Sequence, residues 1–122
     1  MLAQKYRFHG HGSLRYVYRN GKTARTRTLT LRYSENPHRK RPRIAVIVAK
    51  KVLKSAVKRN RVRRRVYEII RYELPSFTKN FDVALTIFSA ELLTMPADEL
   101  RHQVRTILQQ AEIIPGDSPE RP

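Results

Sequence analysis

Cysteine is absent from the 122 residues, which excludes a disulfide framework, a thiolate metal site and a cysteine nucleophile. Acids are scarce: ten Asp and Glu stand against 26 Lys and Arg, for a formal net charge of +16. The few carboxylates offer nothing from which to build a two-metal site. Asp82 falls within an apolar strand pattern, and Asp98 and Glu99 sit where a helix N-terminus favours negative charge. His9-Gly-His11 supplies two imidazoles without a third ligand and reads as loop. No catalytic residue and no metal ligand is therefore assigned to this chain. No apolar run approaches the ~18 residues of a membrane span. A signal-peptide apolar block is also missing from the N-terminus, so a cytoplasmic protein is expected. There is no internal repeat.

What the chain has in excess is positive charge, unevenly placed. From Arg39 to Arg71 there are fourteen Lys or Arg and one acid, Glu68. Residues 1–34 carry eight bases and no acid, whereas residues 72–122 carry four bases and eight acids. That asymmetry implies one binding side and one structural side. The densest part, Lys54 to Arg71, reads as one amphipathic helix. At ~1.5 Å rise per residue its charge density is comparable to the phosphate spacing of a nucleic acid. A solvated charged face would carry acids at i,i+4, but none precedes Glu68. Arginine predominates in the run, which favours bidentate phosphate contacts, and the weak helix former Asn60 among them implies a contact for its amide. The expected partner is a nucleic acid.

The apolar content, 40%, is ordinary, so a real core is expected in one domain over residues 1–114, with a disordered tail over 115–122. A short helix is predicted from the N-cap Ser13 to Gly21. Residues 25–33 alternate as one half-buried strand, with Thr26, Thr28, Thr30 and Arg32 on one face and Arg27, Leu29, Leu31 and Tyr33 on the other. The β-branched run 43–49 reads as a central strand covered on both faces. The long helix runs from Ser55 to about Leu74, before Pro75. Its inner face is Arg59, Val62, Val66, Ile69 and Glu73, flanked by Ile70. Its outer face is Val57, Asn60, Arg61, Arg64, Tyr67, Glu68 and Arg71. Residues 81–88 form another apolar strand, and Thr94-Met-Pro96 opens a last helix with a core stripe of Leu100, Val104, Ile107, Leu108 and Ala111. The order α-β-β-α-β-α describes an α/β (α+β) two-layer sandwich.

A second surface is aromatic. Tyr16, Tyr18 and Tyr33, with Phe8, are interleaved with Arg15, Arg19, Arg27 and Arg32. Aromatic rings and guanidinium planes stack unpaired bases, each at about 1–3 kcal/mol. Leu14, Val17 and Tyr18 also have the spacing of a helix packed on a sheet. Both readings stand for Tyr18, and packing is the simpler one for Leu14.

Lys50-Lys51-Val52 followed by Ala56-Val57-Lys58-Arg59-Asn60-Arg61-Val62-Arg63-Arg64 resembles the signature of the bacterial ribonuclease P protein subunit. The likeness extends over residues 7–113, with Arg7-Phe8 and the segment Leu14 to Gly21 similar to the family's entry and first helix. It departs at Leu53, where the family usually has Gly, at Tyr67, where an arginine is common, and at Leu14, often Phe. The resemblance implies a ribonucleoprotein whose RNA is the catalyst and binds the Mg²⁺, while the protein promotes removal of the 5′ leader of precursor tRNA. It implies contacts to the catalytic RNA from Lys50, Lys51, Lys54, Lys58, Arg59, Asn60, Arg61, Arg63, Arg64 and Arg71. It implies a leader cleft of Arg7, Phe8, Leu14, Tyr18, Arg32 and Tyr33, and a β-α-β unit of the rare left-handed kind.

Other readings fit less well. A ribosomal or other structured-RNA binder would share the basic helix but need no cleft. A self-contained nuclease would need clustered carboxylates or histidines, and a DNA reader a dimer seam or helix-turn-helix spacing.

Overall fold

The computed structural model of the chain describes residues 12–38 and 40–116. Its elements are α1 (Gly12–Asn20), β1 (Lys22–Arg25), β2 (Leu29–Glu35), β3 (Arg43–Val48), α2 (Ala56–Glu73), β4 (Phe81–Ile87) and α3 (Ala97–Gln110), with 3-10 turns at Leu74–Ser76 and Ala90–Leu93. The four strands lie in the order β1-β2-β4-β3. β1–β2 and β2–β4 are antiparallel, and β3 runs parallel to β4 through the α2 crossover.

Strand alternation divides the side chains between two faces. In register, Leu31, Leu85 and Val46 lie side by side, as do Leu29, Ile87 and Val48. They join Val62, Val66 and Ile70 of α2 and Leu100, Val104, Ile107 and Leu108 of α3 in one core. This is the expected sandwich of sheet and helices. The other face carries Thr30, Thr86 and Ile47, then Arg32, Ala84 and Ala45. The short α1 covers part of it, anchored by the fully buried Val17. At its end Gly21 is jammed against β2: a Cβ there would lie 2.4 Å from the Val17 carbonyl oxygen and 2.8 Å from that of Tyr33. Close backbone approach, not a left-handed conformation, requires the glycine.

Two strand expectations are corrected. Residues 25–33 are not one strand but a hairpin, with Arg25 ending β1 and Leu29 opening β2. The Thr26 N–H donates to the Leu29 carbonyl at 2.9 Å, and the Thr26 hydroxyl accepts from the Leu29 N–H at 3.2 Å. A threonine-closed turn needs neither Gly nor Pro, so no breaker announces it. β3 is an edge strand, not a central one: Ala45 and Ile47 are only half-buried, and β4 is the strand covered on both faces.

The start of β3 is pinned to β4 by a buried ion pair. Arg43 meets Asp82 with Nε–Oδ1 at 2.9 Å and Nη2–Oδ2 at 2.7 Å, and Asn36 donates to Asp82 Oδ2 at 3.0 Å. The predicted α3 stripe of Leu100, Val104, Ile107, Leu108 and Ala111 is buried. Beyond α3, the Ile113 N–H returns to the Leu108 carbonyl at 3.0 Å and the Glu112 N–H to Gln109 at 3.0 Å. This is a Schellman closure with Glu112 at φ 59°. Ile113 and Ile114 are buried, while the part of the expected tail from residue 117 lies outside the described residues.

Candidate nucleic-acid interface

α2 begins as its sequence dictates. The Ser55 hydroxyl accepts the Lys58 N–H at 3.3 Å, and the Leu74 N–H reaches the Ile70 carbonyl where the helix ends. The buried residues Val62, Val66 and Ile70 fix its rotation. Lys54, Lys58, Asn60, Arg61, Arg64 and Arg71 consequently face solvent, as do Lys50 and Lys51 in the turn after β3. Among the described residues, the ion pairs engage Arg27, Arg43, Arg71, Lys79 and Arg105. Lys50, Lys51, Lys54, Lys58, Arg61 and Arg64 stand outside them, as a phosphate-facing surface requires.

Not every cation of the run belongs to that surface. Arg59 is half-buried and donates through Nη1 to the carbonyls of Leu53 and Lys54, both at 2.9 Å. It ties down the entry to α2, in which the half-buried Leu53 packs on the core. Arg63, also half-buried, donates to the Asn60 side-chain carbonyl, so the Asn60 amide is engaged within the helix. Arg65 turns the other way altogether. It donates to Leu92 at 2.6 Å, to Leu93 at 3.1 Å and to Met95, closing the carbonyls of the second 3-10 turn. Tyr67, expected on the outer face, is half-buried against the core, and its hydroxyl accepts the Val46 N–H at 3.2 Å. Edge strand β3 leaves backbone groups without a strand partner, and the α2 flank beside it supplies one. Arg71 pairs with Glu68 at 2.9 Å, and the hydrogen bond holds the Glu68 carboxyl below its ordinary range.

A second candidate surface lies where α1 leaves the far face of the sheet uncovered. Here Tyr18, Arg25, Thr26, Arg27, Thr30, Arg32, Ile47, Thr86 and Phe88 line an open groove of about 540 Å³. The Arg32 guanidinium lies 5.4 Å from the centre of the Tyr18 ring and donates to the Tyr18 carbonyl at 3.0 Å. Tyr18 is 37% exposed and Phe88 52%, so two rings and three arginines border one groove. On α1 it is Val17 that packs fully, and Leu14 is half-buried. Tyr33 does not join this groove. Its ring meets Phe81 edge-on at 6.1 Å on the core face, and burial, with Glu112 adding to it, raises its phenol pKa. Arg7 and Phe8, and the pair His9 and His11, lie outside the described residues.

A model of the ribonuclease P family matches residues 2–112. The chain belongs to the ribonuclease P protein family. It is 31% identical over 119 residues to the ribonuclease P protein component of Chloroflexus aurantiacus, covering 98% of this chain and 87% of that one. With the counterpart from Roseiflexus castenholzii it shares 32% over 121 residues, 99% of this chain and 98% of the other. Among solved structures, the Staphylococcus aureus RNase P protein superposes with a TM-score of 0.79 at 18% identity, over 89% of this chain and 97% of that one. The Thermotoga maritima RNase P protein gives 0.75 at 20%, over 85% and 96%. At such identities these likenesses show the fold.

Within this ribonuclease P fold, sequence reasoning placed Arg27 and Arg32 on the aromatic surface but missed Phe88, Arg25 and Ile47 in the groove, and Tyr72 on α2. Phe88 read as the last residue of an apolar strand; two residues after Thr86, it falls on the groove face of the sheet, where it is exposed. Arg27 is exposed and paired with Glu91 at 2.6 Å, a contact that raises the Arg27 pKa and that 64 residues of separation conceal. Among the described residues no helix is long and apolar enough to cross a membrane.

Proposed function

We propose that this chain is the protein subunit of a ribonuclease P ribonucleoprotein, promoting removal of the 5′ leader from precursor tRNA in the cytoplasm. The observation that carries the reading is the exposed stripe of Lys54, Lys58, Arg61 and Arg64, outside the ion pairs formed among the described residues, on a chain of this family. That face, with Lys50 and Lys51, docks on the phosphates of the catalytic RNA. The groove between α1 and the sheet receives the single-stranded leader, with Tyr18 and Phe88 stacking bases and Arg25, Arg27 and Arg32 meeting phosphates. Arg59 acts indirectly, by shaping the loop that presents Lys54.

Among the described residues no group of three or more His, Cys, Asp or Glu offers a ligand set for Mg²⁺. We assign the ion to the RNA subunit, where it would supply activated water and offset charge on the cleaved phosphate. The protein's share is to neutralise repulsion between two RNAs and to place the leader in line with the cleavage site.

Reconstitution tests this. Added to a bacterial ribonuclease P RNA, the protein should lower the Mg²⁺ needed to cleave precursor tRNA, while RNA-free protein leaves the substrate intact. Failure to stimulate any such RNA would count against the assignment. Correct 5′ cleavage by RNA-free protein would move the active site onto this chain.

A further inference from the structure

We propose that Arg71 and Tyr72, at the C-terminal end of α2, form a stacking platform for an unpaired base of the catalytic RNA. This rests on the reading that the outer face of α2 meets that RNA, and it adds a base contact to the phosphate contacts. Tyr72 is 74% exposed, more than Tyr16, Tyr18, Val57 or Phe88. The Arg71 guanidinium lies 5.1 Å from the centre of its ring and is held by Glu68 Oε2 at 2.9 Å.

The position matters as much as the exposure. Tyr72 follows Arg61 by eleven residues, so at 100° per residue the two fall within about 20° of one another on the helix and roughly 17 Å apart along it. Arg64 and Arg71 lie together on one side of that column, about 60–80° around the helix from Arg61. A single exposed tyrosine on a helix is ordinary. One that carries a guanidinium against its ring at the end of a cationic stripe has the composition of a base-stacking site, where the cation also meets the backbone. The platform also accounts for Glu68, the one acid of the stripe. A free carboxylate there would repel phosphate, but paired with Arg71 it fixes the guanidinium beside the ring.

The test uses the full chain and a bacterial ribonuclease P RNA. Tyr72→Ala should weaken binding by about 5- to 150-fold, the range of one lost base–aromatic stack, whereas Tyr72→Phe and Tyr72→Trp should stay within about twofold. The salt dependence of Tyr72→Ala should keep its slope, because no phosphate contact is lost, while Arg64→Ala lowers it. Wild-type affinity in Tyr72→Ala alongside a weakened Arg64→Ala would sink the platform and spare the α2 docking surface. No effect from either would sink both. A loss that Phe does not rescue would show that the ring is not the contact. A loss appearing only in precursor-tRNA binding by the preassembled holoenzyme would refute the catalytic RNA as the source of the base.

Discussion

Arg61 and Arg65 stand one helical turn apart on α2 and do opposite work. Arg61 faces solvent, whereas Arg65 turns inward and gathers the carbonyls of Leu92, Leu93 and Met95. Nothing in the local sequence separates them, because the acceptors of Arg65 are backbone atoms some thirty residues away. Arg65→Ala should therefore cost at least ~1–3 kcal/mol of unfolding free energy from stranded acceptors, measured by denaturant titration. Arg61→Ala should leave the midpoint unchanged. Asp82 is more exacting. Asp82→Ala leaves Arg43 buried and strips Asn36 of its acceptor, and should cost about 3–5 kcal/mol. Glu112 offers the reverse. It occupies the left-handed region at φ 59°, so Glu112→Gly should raise stability by about 0.5–1 kcal/mol. A lowered melting temperature would show that its side chain outweighs that strain.

At the scale of elements, periodicity was legible wherever burial set it. The stripe of α3 and the inner face of α2 were readable because the core imposes a 3.6-residue repeat on apolar side chains. The N-cap Ser55 was readable because its hydroxyl has only a local job. β1 was not, since the turn that ends it is made by Thr26, and alternation of Thr and Arg runs unbroken through it. Nor was the edge position of β3, since a β-branched run looks alike at an edge or a centre, and only pairing distinguishes them. The element most open to test is α2. Replacing Arg61 and Arg64 together by Ala should flatten the log–log salt dependence of RNA binding by roughly 0.7–0.9 per lost phosphate contact. Arg59→Ala should act differently, loosening the loop at Leu53 and Lys54. Its affinity loss should come with more rapid amide exchange in that loop.

The whole molecule keeps its functions apart by using the two sides of one sheet. α2 and α3 cover one side and bury the core, so the cations of α2 look outward. The other side, roofed only in part by α1, holds the groove of Tyr18, Arg32 and Phe88. Tyr33 marks the boundary. The alternation of β2 sets it opposite Arg32, whereas the interleaving of tyrosines with arginines, and the family likeness, group it with Tyr18. The structure sides with the alternation, placing its ring against Phe81. A leader groove on the α1 side of the sheet therefore requires two tyrosines of one chain to behave differently. The decisive measurement is the affinity of the reconstituted holoenzyme for precursor and for mature tRNA, with Tyr18→Ala and Tyr33→Ala each shown folded by thermal melt. Tyr18→Ala should lose about 1–3 kcal/mol for precursor tRNA and almost nothing for mature tRNA, which has no leader to stack. Tyr33→Ala should treat both substrates alike. A leader-specific loss from Tyr33→Ala, or equal losses from Tyr18→Ala, would rule out a leader groove on the α1 side.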